Sequence, residues 1–315
     1  MYPRRGLDLQ PIRLLGLSLL LLASHSAAIA QDDGARLYML VPDKTTIASL
    51  RLHRLHSNLA VDPAALAQDA SLDTDLAVFQ FVQAFRVRGS QGFVFLVVPG
   101  SRIRADADLP DPAMPGSISG FGDAQLGLVV GLHGTPALTA KDYAGHRPGL
   151  AVNALAKLFF PTGAYSSTRS INVGANRWAL RLGAPIVYAV GKTMSDRELV
   201  TIELMPTITF FGANDEPFEA GRTRQKPLFI FEGHVTRGFS RDFWASIDLL
   251  WREGGEVEVD GTDAGNRQRA LSLGGTATFA LGKTSSLRLS AGSVVARNQF
   301  GPNGWMLRTI VGTVF

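Results

Sequence analysis

Several acids and bases in the second half of the chain lie two or four residues apart, within segments where apolar and polar residues alternate. Glu232 precedes His234, and Asp248 precedes Arg252. In an extended strand this spacing places both members of a pair on one face. Such side chains could pair with one another, select a solute or transfer protons. Ten residues are candidates for this polar face: Lys157, Arg177, Arg181, Glu203, Glu232, His234, Asp248, Arg252, Arg288 and Arg308.

Mixed charge on one face has two interpretations if the strands close into a barrel. The charges could pair across neighbouring strands and hold the wall together, or they could form a polar constriction that selects solutes. Glu203 lies on a predicted strand beside those of Glu232 and Arg181, and this arrangement favours structural pairing. A charge on the lipid side would cost about 2–4 kcal/mol at the membrane midplane. These side chains are therefore expected to line the lumen.

A catalytic or metal site is the alternative use of the same residues. A lipolytic outer-membrane enzyme would draw on His234, Ser240 and Ser246, the nearest histidine and serines. Alternation places His234 and Ser246 on the inner face and Ser240 in a turn, and no G-x-S-x-G elbow, H-E-x-x-H or P-loop occurs. Four further histidines are scattered without metal-ligand spacing: His53, His56, His133 and His146. The sequence therefore predicts no enzyme, no metal and no cofactor.

Extended strands must position these side chains. In FWASIDLLWRE, Ile247 and Trp251 share one face while Ser246 and Asp248 share the other, and helical spacing fits no such segment. About twelve strands are predicted, near residues 46–57, 75–88, 91–99, 120–132, 147–160, 175–190, 198–211, 226–237, 242–253, 267–281, 286–297 and 304–315.

The links between these segments alternate in length. Most odd-numbered links are long, whereas most even-numbered links are short turns such as GSQG and GKTSS. An even number of antiparallel strands with short periplasmic turns and longer outer loops is typical of an outer-membrane barrel. The link at 133–147 is an exception, because it is long where a short turn is expected. The predicted fold is all-β, an antiparallel transmembrane β-barrel with meander topology, and a secreted soluble β-protein is the alternative.

The first thirty residues have the layout of a secretory signal peptide. Three arginines precede an apolar run at 14–23, and Ala28-Ile29-Ala30 forms a cleavage site of small residues. The run is too short to cross about 30 Å of hydrocarbon as a helix. Cleavage after Ala30 would leave 31–315 as the barrel domain in the bacterial outer membrane. The sequence leaves open whether 31–45 is a periplasmic N-terminal segment or a plug in the lumen.

Composition excludes other classes of protein. Loss of the signal peptide removes three arginines and one aspartate and lowers the net charge from +4 to about +2. No cluster of lysine and arginine follows a helical face, so a nucleic-acid partner is not expected. The chain has no cysteine, so no disulfide framework stabilises the exported protein.

The last segment of the sequence has a pattern typical of outer-membrane proteins. Phe315 is preceded at alternate positions by the uncharged residues Thr313, Val311, Thr309 and Leu307. Phe315 is expected to face lipid at the periplasmic interface and to act as an assembly signal for the barrel assembly machinery. Four other aromatic residues near strand ends are candidates for the interfacial girdles: Trp178, Tyr188, Trp251 and Trp305.

Three stretches carry a family resemblance: GFGDAQLGLVVGL (120–132), RPGLAVNALAKLFFPTGAY (147–165) and INVGANRWALRLGAPIVYAVGK (171–192). Together with GAND at 212–215, they resemble the transporter family of the "MetA pathway of phenol degradation" over residues 115–315. The resemblance implies an outer-membrane β-barrel associated with uptake of aromatic or other apolar compounds. The glycines of these motifs have an architectural explanation, since they permit turns and relieve crowding. We therefore predict an outer-membrane channel for small apolar or aromatic solutes, with membrane lipids and the solute as further partners.

Overall fold

The computed structural model describes residues 33–58, 71–106 and 116–315. The predicted signal peptide lies outside these residues. Within them, twelve long strands build one sheet. They are β1 (Thr46–Ser57), β2 (Ser71–Val87), β3 (Ser90–Asp106), β4 (Ser117–Phe121 and Gln125–His133), β5 (Leu150–Phe159), β6 (Ala179–Gly183 and Ile186–Val190), β7 (Val200–Phe211), β8 (Leu228–Gly238), β9 (Phe243–Gly254), β10 (Gln268–Ala280), β11 (Ser285–Arg297) and β12 (Trp305–Val314).

The sheet closes on itself. Each strand pairs antiparallel with the strands before and after it, and β12 pairs with β1 from Ile47–Val314 to His56–Trp305. The prediction of a closed antiparallel barrel with meander topology is therefore confirmed. Closure leaves no sheet edge exposed to lipid, which is the condition for a sheet to span a membrane.

Two strands are longer than predicted. β2 and β3 each contain 17 residues, and β3 continues past residue 99, where the sequence prediction ended it. Pro99 has no N–H to donate to a neighbouring strand, so the sequence predicts the end of β3 at this residue. In the structure Pro99 stays in the strand, and the ladder of the neighbouring β4 is interrupted instead, between Phe121 and Gln125. Gly122 donates to the carbonyl of Pro99 at 2.9 Å and preserves the connection.

Apolar side chains cover the outer face at alternate positions. Leu50, Phe79 and Leu96 are exposed there, as are the predicted girdle residues Trp178 and Tyr188. Aromatic residues at both ends of an apolar band are characteristic of outer-membrane barrels. Among the described residues, no helix is long and apolar enough to cross a membrane.

The long link after β4 has a structural reason. It contains the short helix α1 (Ala140–Gly145) and pairs with the chain just before β1. Asp43 N–H donates to the carbonyl of Leu138 at 2.7 Å, and Pro42 and Leu138 form a parallel bridge. This link breaks the short-turn pattern because it holds the N-terminal segment at the periplasmic mouth.

Three motifs of the sequence meet at the extracellular rim. Asp123 accepts hydrogen bonds from the N–H groups of Gly163 at 2.8 Å and Ala175 at 2.9 Å. Gly163 and Gly174 pack backbone against backbone, since a Cβ on Gly163 would lie 2.6 Å from the Cα of Gly174. The aspartate of GFGD thereby ties together the FPTG and VGAN motifs. We name this set of contacts the rim junction.

The rim junction orients the loop between β5 and β6. Asn176 Nδ2 donates to Asn214 Oδ1 at 3.0 Å, which connects the loop to the GAND segment. In the loops after β7 and β9, four short strands form a separate small sheet: Ala213–Asn214, Thr223–Gln225, Val257–Val259 and Thr262–Asp263. Ile171 and Val173, in the loop between β5 and β6, are buried.

We predict that Asp123→Ala opens this loop, because it removes two charge-assisted hydrogen bonds worth about 1.5–3 kcal/mol each. Trypsin should then cleave the folded barrel after the exposed Arg169 severalfold faster than it cleaves the wild type. Asp215→Ala is the matched control, since Asp215 forms an exposed rim ion pair with Arg222 at 2.7 Å. Equal cleavage rates in wild type and Asp123→Ala would contradict the proposed tether.

The closing strand generates a second prediction. Phe315 and Thr46 exchange two backbone hydrogen bonds at 2.9 and 3.4 Å, and the Phe315 ring is 76 % exposed. Phe315→Ala should lower the yield of the heat-modifiable folded band on unboiled gels severalfold, because it removes the apolar group that faces the interface. Val314 alternates with Phe315 along β12 and is 42 % exposed at the barrel end. Val314→Ser should have a much smaller effect, and equal yields for the two variants would refute the assembly role of Phe315.

Candidate solute pathway in the barrel interior

The structure places nine of the ten candidate charged residues at inward positions of the strands, whereas Arg177 lies in the loop just before β6 and donates to Gln225 at 2.7 Å. Glu232 and Asp248 are almost completely buried, at 1 % and 0 % exposure. Arg177 and Arg288 are partly exposed. The other buried members are Lys157, Arg181, Glu203, His234, Arg252 and Arg308. Polar groups at this density require partners, because an unpaired buried charge is costly.

Many of those partners come from the chain preceding β1. Residues 33–41, which we name the inner segment, lie inside the barrel. The Asp33 carboxylate pairs with Lys157 Nζ at 2.7 Å, and both side chains are buried. The N–H groups of Asp33 and Gly34 each donate to Glu232 at 3.0 Å. Adjacent N–H groups aimed at a carboxylate make a charge-assisted anchor.

Arg36 forms the second anchor of the inner segment. Its N–H donates to Glu203 at 2.7 Å, and its guanidinium donates to Thr236 Oγ1 at 2.8 Å. The guanidinium also lies over the Trp244 ring, 4.6 Å from the centroid. Arg288 stacks on the same ring at 4.9 Å and donates to the carbonyl of Ala35 at 2.8 Å. Side chains from β7, β8, β9 and β11 thus contact Ala35 and Arg36 of the inner segment.

Apolar contacts hold the inner segment nearer the periplasm. Tyr38 packs against Phe93 and Phe95 on the wall, and its hydroxyl donates to Asp33 at 2.9 Å. Met39 and Leu40 pack on the other side in a cluster that includes the half-buried Tyr143 of α1. Burial raises the pKa of the Tyr143 phenol above its ordinary value, and the nearby positive charge of Arg36 opposes that rise.

These contacts bear on the two alternatives that the sequence left open for residues 31–45. Residues 33–41 lie in the lumen, and the chain reaches the periplasmic mouth only near Asp43. The cause is the inner wall itself, where Glu203 and Glu232 accept N–H groups from this segment. Sequence periodicity did not reveal this arrangement, because the segment has neither strand nor helix spacing.

One pairing of the expected kind joins the neighbouring strands β8 and β9. His234 Nδ1 lies 2.6 Å from Asp248 Oδ1, and His234 Nε2 lies 3.2 Å from Glu232 Oε1. Asp248 also accepts hydrogen bonds from Ser246 at 2.7 Å and from Thr276 at 2.8 Å. Glu203 instead accepts hydrogen bonds from the hydroxyl of Thr201 and from the N–H of Arg36 in the inner segment.

The same geometry bears on the catalytic alternative. Ser246 Oγ donates to Asp248 and not to His234, so the histidine is not positioned as the general base that a serine–histidine pair requires. Ser240 lies in the turn between β8 and β9. Within the residues that the structure describes, no group of three His, Cys, Asp or Glu side chains could hold a metal ion.

Closer to the extracellular end than these charged side chains, which form a charged layer, the interior becomes apolar. Leu72, Ile103 and Ile118 of the wall form a buried cluster with Ile171 and Val173 from the loop that the rim junction holds. We name this cluster the upper cluster. Its side chains pack against one another and are at most 8 % exposed, so a solute that enters must displace them, and a solute with little polar area is favoured there. The interior therefore combines an apolar upper layer, a charged middle layer and the inner segment.

Sequence reasoning missed two contributors to the interior. Arg51 alternates with the outward Leu50 and Leu52 and is buried on the inner face, where it donates to Gln80. Its position in LRLHRL would have identified it. The second contributor is the inner segment, whose role depends on partners about 200 residues away, such as Glu232.

Known proteins share this fold. The structure of the COG4313 outer membrane channel from Pseudomonas putida F1 has a TM-score of 0.74 and 20 % identity, covering 90 % of this chain and 100 % of that one. The beta domain of the autotransporter BrkA from Bordetella has a TM-score of 0.52 and 10 % identity, covering 87 % and 100 %. For the translocator domain of NalP from Neisseria meningitidis the values are 0.51 and 10 %, covering 96 % and 95 %.

No curated protein matches the chain in sequence. A family model does match, and it covers the three rim motifs together with strands β2 to β11. The matched region, residues 57–309, is most of the chain, and the protein therefore belongs to the family described as "Putative MetA-pathway of phenol degradation".

Proposed function

We propose that this protein is an outer-membrane channel for small apolar or aromatic solutes, and that the inner segment controls passage through it. The observation that carries the proposal is the closed wall around an interior that the chain's own residues 33–41 occupy. The barrel fold shared with an outer membrane channel supports it. No cofactor takes part, and the partners are the solute, the membrane lipids and, during assembly, the barrel assembly machinery.

The upper cluster supports the assignment of the solute class. An aromatic ring that displaces its isoleucine and leucine side chains would find an apolar environment, whereas a sugar or an amino acid would gain little there. The charged layer beneath it offers partners to a single hydroxyl, as phenol carries. The description of the family, which names phenol degradation, agrees with this class.

The inner segment must move for a solute to pass. A barrel of twelve strands has a narrow bore, and residues 33–41 take up part of it. The anchors on Glu232, Glu203 and Lys157 are charge-assisted hydrogen bonds, each worth about 1.5–3 kcal/mol. Such bonds rearrange more readily than packed backbone, so the segment can shift while the wall stays closed.

We predict that Lys157→Met raises the single-channel conductance of refolded protein in a planar bilayer severalfold. The substitution removes the ion-pair partner of the buried Asp33 carboxylate, which keeps its hydrogen bond from Tyr38. Breaking a buried ion pair costs about 3–5 kcal/mol, which loosens the inner segment. Deleting residues 33–41 should raise the conductance further. Lys192→Met, in an exposed turn after β6, is the matched control and should conduct like the wild type.

The same recordings test the solute class. Phenol on the extracellular side should interrupt the current more often than glycerol at equal concentration, because only phenol has an apolar ring that can bind among the side chains of the upper cluster. Identical current traces with the two solutes would contradict the assignment of aromatic solutes. Unchanged conductance after removal of residues 33–41 would contradict the control by the inner segment.

A separate prediction distinguishes transport from catalysis. His234→Ala should leave the folded band on unboiled gels intact and change conductance modestly, since Asp248 keeps its hydrogen bonds from Ser246 and Thr276. His146→Ala, on the periplasmic link, serves as the control. Esterase or phospholipase turnover that is present in the wild type and vanishes only in His234→Ala would replace the channel by a lipolytic enzyme.

A further inference from the structure

The outer face of β12, β1, β2 and β3 contains a groove at its extracellular end. In the apolar band Leu50 lies opposite Phe79. One row closer to the outside, Leu52 lies opposite Ala77, and Ala77 lies opposite Gly100. Because the last two side chains are small, the band is indented there by a groove of about 570 Å³.

Charged residues border the groove on its extracellular side. The next row across the three strands is Arg54, Asp75 and Arg102, and the row above it is His56, Asp73 and Arg104. All six positions follow the outward alternation of Leu52 and Ala77. The two rows contain three arginines and two aspartates, so they carry an excess of positive charge.

Ion pairs fix most of these charges and leave one guanidinium available. Arg54 pairs with Asp73 and Asp75, and Arg104 pairs with Asp75 at 2.8 Å. Arg102 is exposed and makes no ion pair or hydrogen bond to any side chain in the described part of the chain. It lies directly above Gly100 on the same face of β3.

The aromatic girdle gives the depth of these rows. His56 stacks on Trp305 with ring centroids 6.1 Å apart, and tryptophan in membrane barrels prefers the level of the lipid head groups. The charged rows therefore lie at the head groups of the outer leaflet, and the groove lies among the acyl chains below.

We infer that the groove binds one phosphorylated glycolipid of the outer leaflet. The guanidinium of Arg102 holds a phosphate, with Arg54 and Arg104 beside it, because arginine matches phosphate in charge and in bidentate geometry. An acyl chain of the same lipid lies over Ala77 and Gly100. The site is independent of the solute pathway, since it faces away from the lumen.

Native mass spectrometry of the refolded full-length protein with bisphosphorylated lipid A tests this site. The wild type should retain one lipid, and Arg102→Ala should bind it at least about tenfold more weakly. Gly100→Leu should weaken binding similarly by filling the groove while leaving the arginines in place. A Cβ at position 100 meets its nearest atom at 3.8 Å, so this variant should fold.

Arg269→Ala is the matched control. Arg269 is an outward arginine on β10 that pairs with Glu253 at 2.8 Å, and its loss should not change lipid binding. Dephosphorylated lipid A should bind the wild type as weakly as the phosphorylated lipid binds Arg102→Ala. Wild-type affinity in either Arg102→Ala or Gly100→Leu, or equal binding of lipid A with and without phosphate, would overturn the inference.

Discussion

The pairing of β1 with β12 is the interaction on which the rest of the structure depends. An unpaired backbone N–H or C=O in hydrocarbon costs several kcal/mol, so a sheet can span a membrane only when it has no edge. The register from Ile47–Val314 to His56–Trp305 removes that edge. Closure also gives every side chain one of two directions, outward to lipid or inward to the lumen.

The two directions explain the distribution of charge. Outward positions within the band are apolar, and the charged outward residues Arg54 and Arg102 lie only toward the extracellular end. Inward positions can hold Glu232 and Asp248 only if these acquire hydrogen-bonding partners. The inner segment supplies N–H groups to Glu232, and the network around His234 satisfies Asp248. An occupied lumen is thus a consequence of a charged wall, and the proposed control of passage by that segment rests on the same bonds.

The two ends of the barrel are organised by different means. At the periplasmic mouth the long link with α1 pairs with the chain at Asp43 and packs Tyr143 against the inner segment. At the extracellular rim Asp123 binds two loop N–H groups and brings Ile171 and Val173 over the lumen. The contacts at the periplasmic mouth hold the inner segment in the lumen, and those at the extracellular rim build the upper cluster.

Alternation in the sequence determined the class of fold, the number of strands and the direction of residues such as Asp248, since a period of two survives in any register. It did not reveal that β3 continues through Pro99. The missing N–H of the proline interrupts the pairing of β3 with β4 between Phe121 and Gln125, and it does not end β3. Likewise, the glycines of FPTG and VGAN predicted turns but not their common contact with Asp123.

Only the tertiary structure decided what the interior does. Whether Lys157 pairs with a neighbouring strand or with Asp33 depends on which groups closure brings within hydrogen-bonding distance, and those two residues are 124 positions apart. Local sequence patterns carry the preference of a residue for lipid or water. They do not carry the identity of its partner, because a partner is selected by the shape of the closed barrel and not by spacing along the chain.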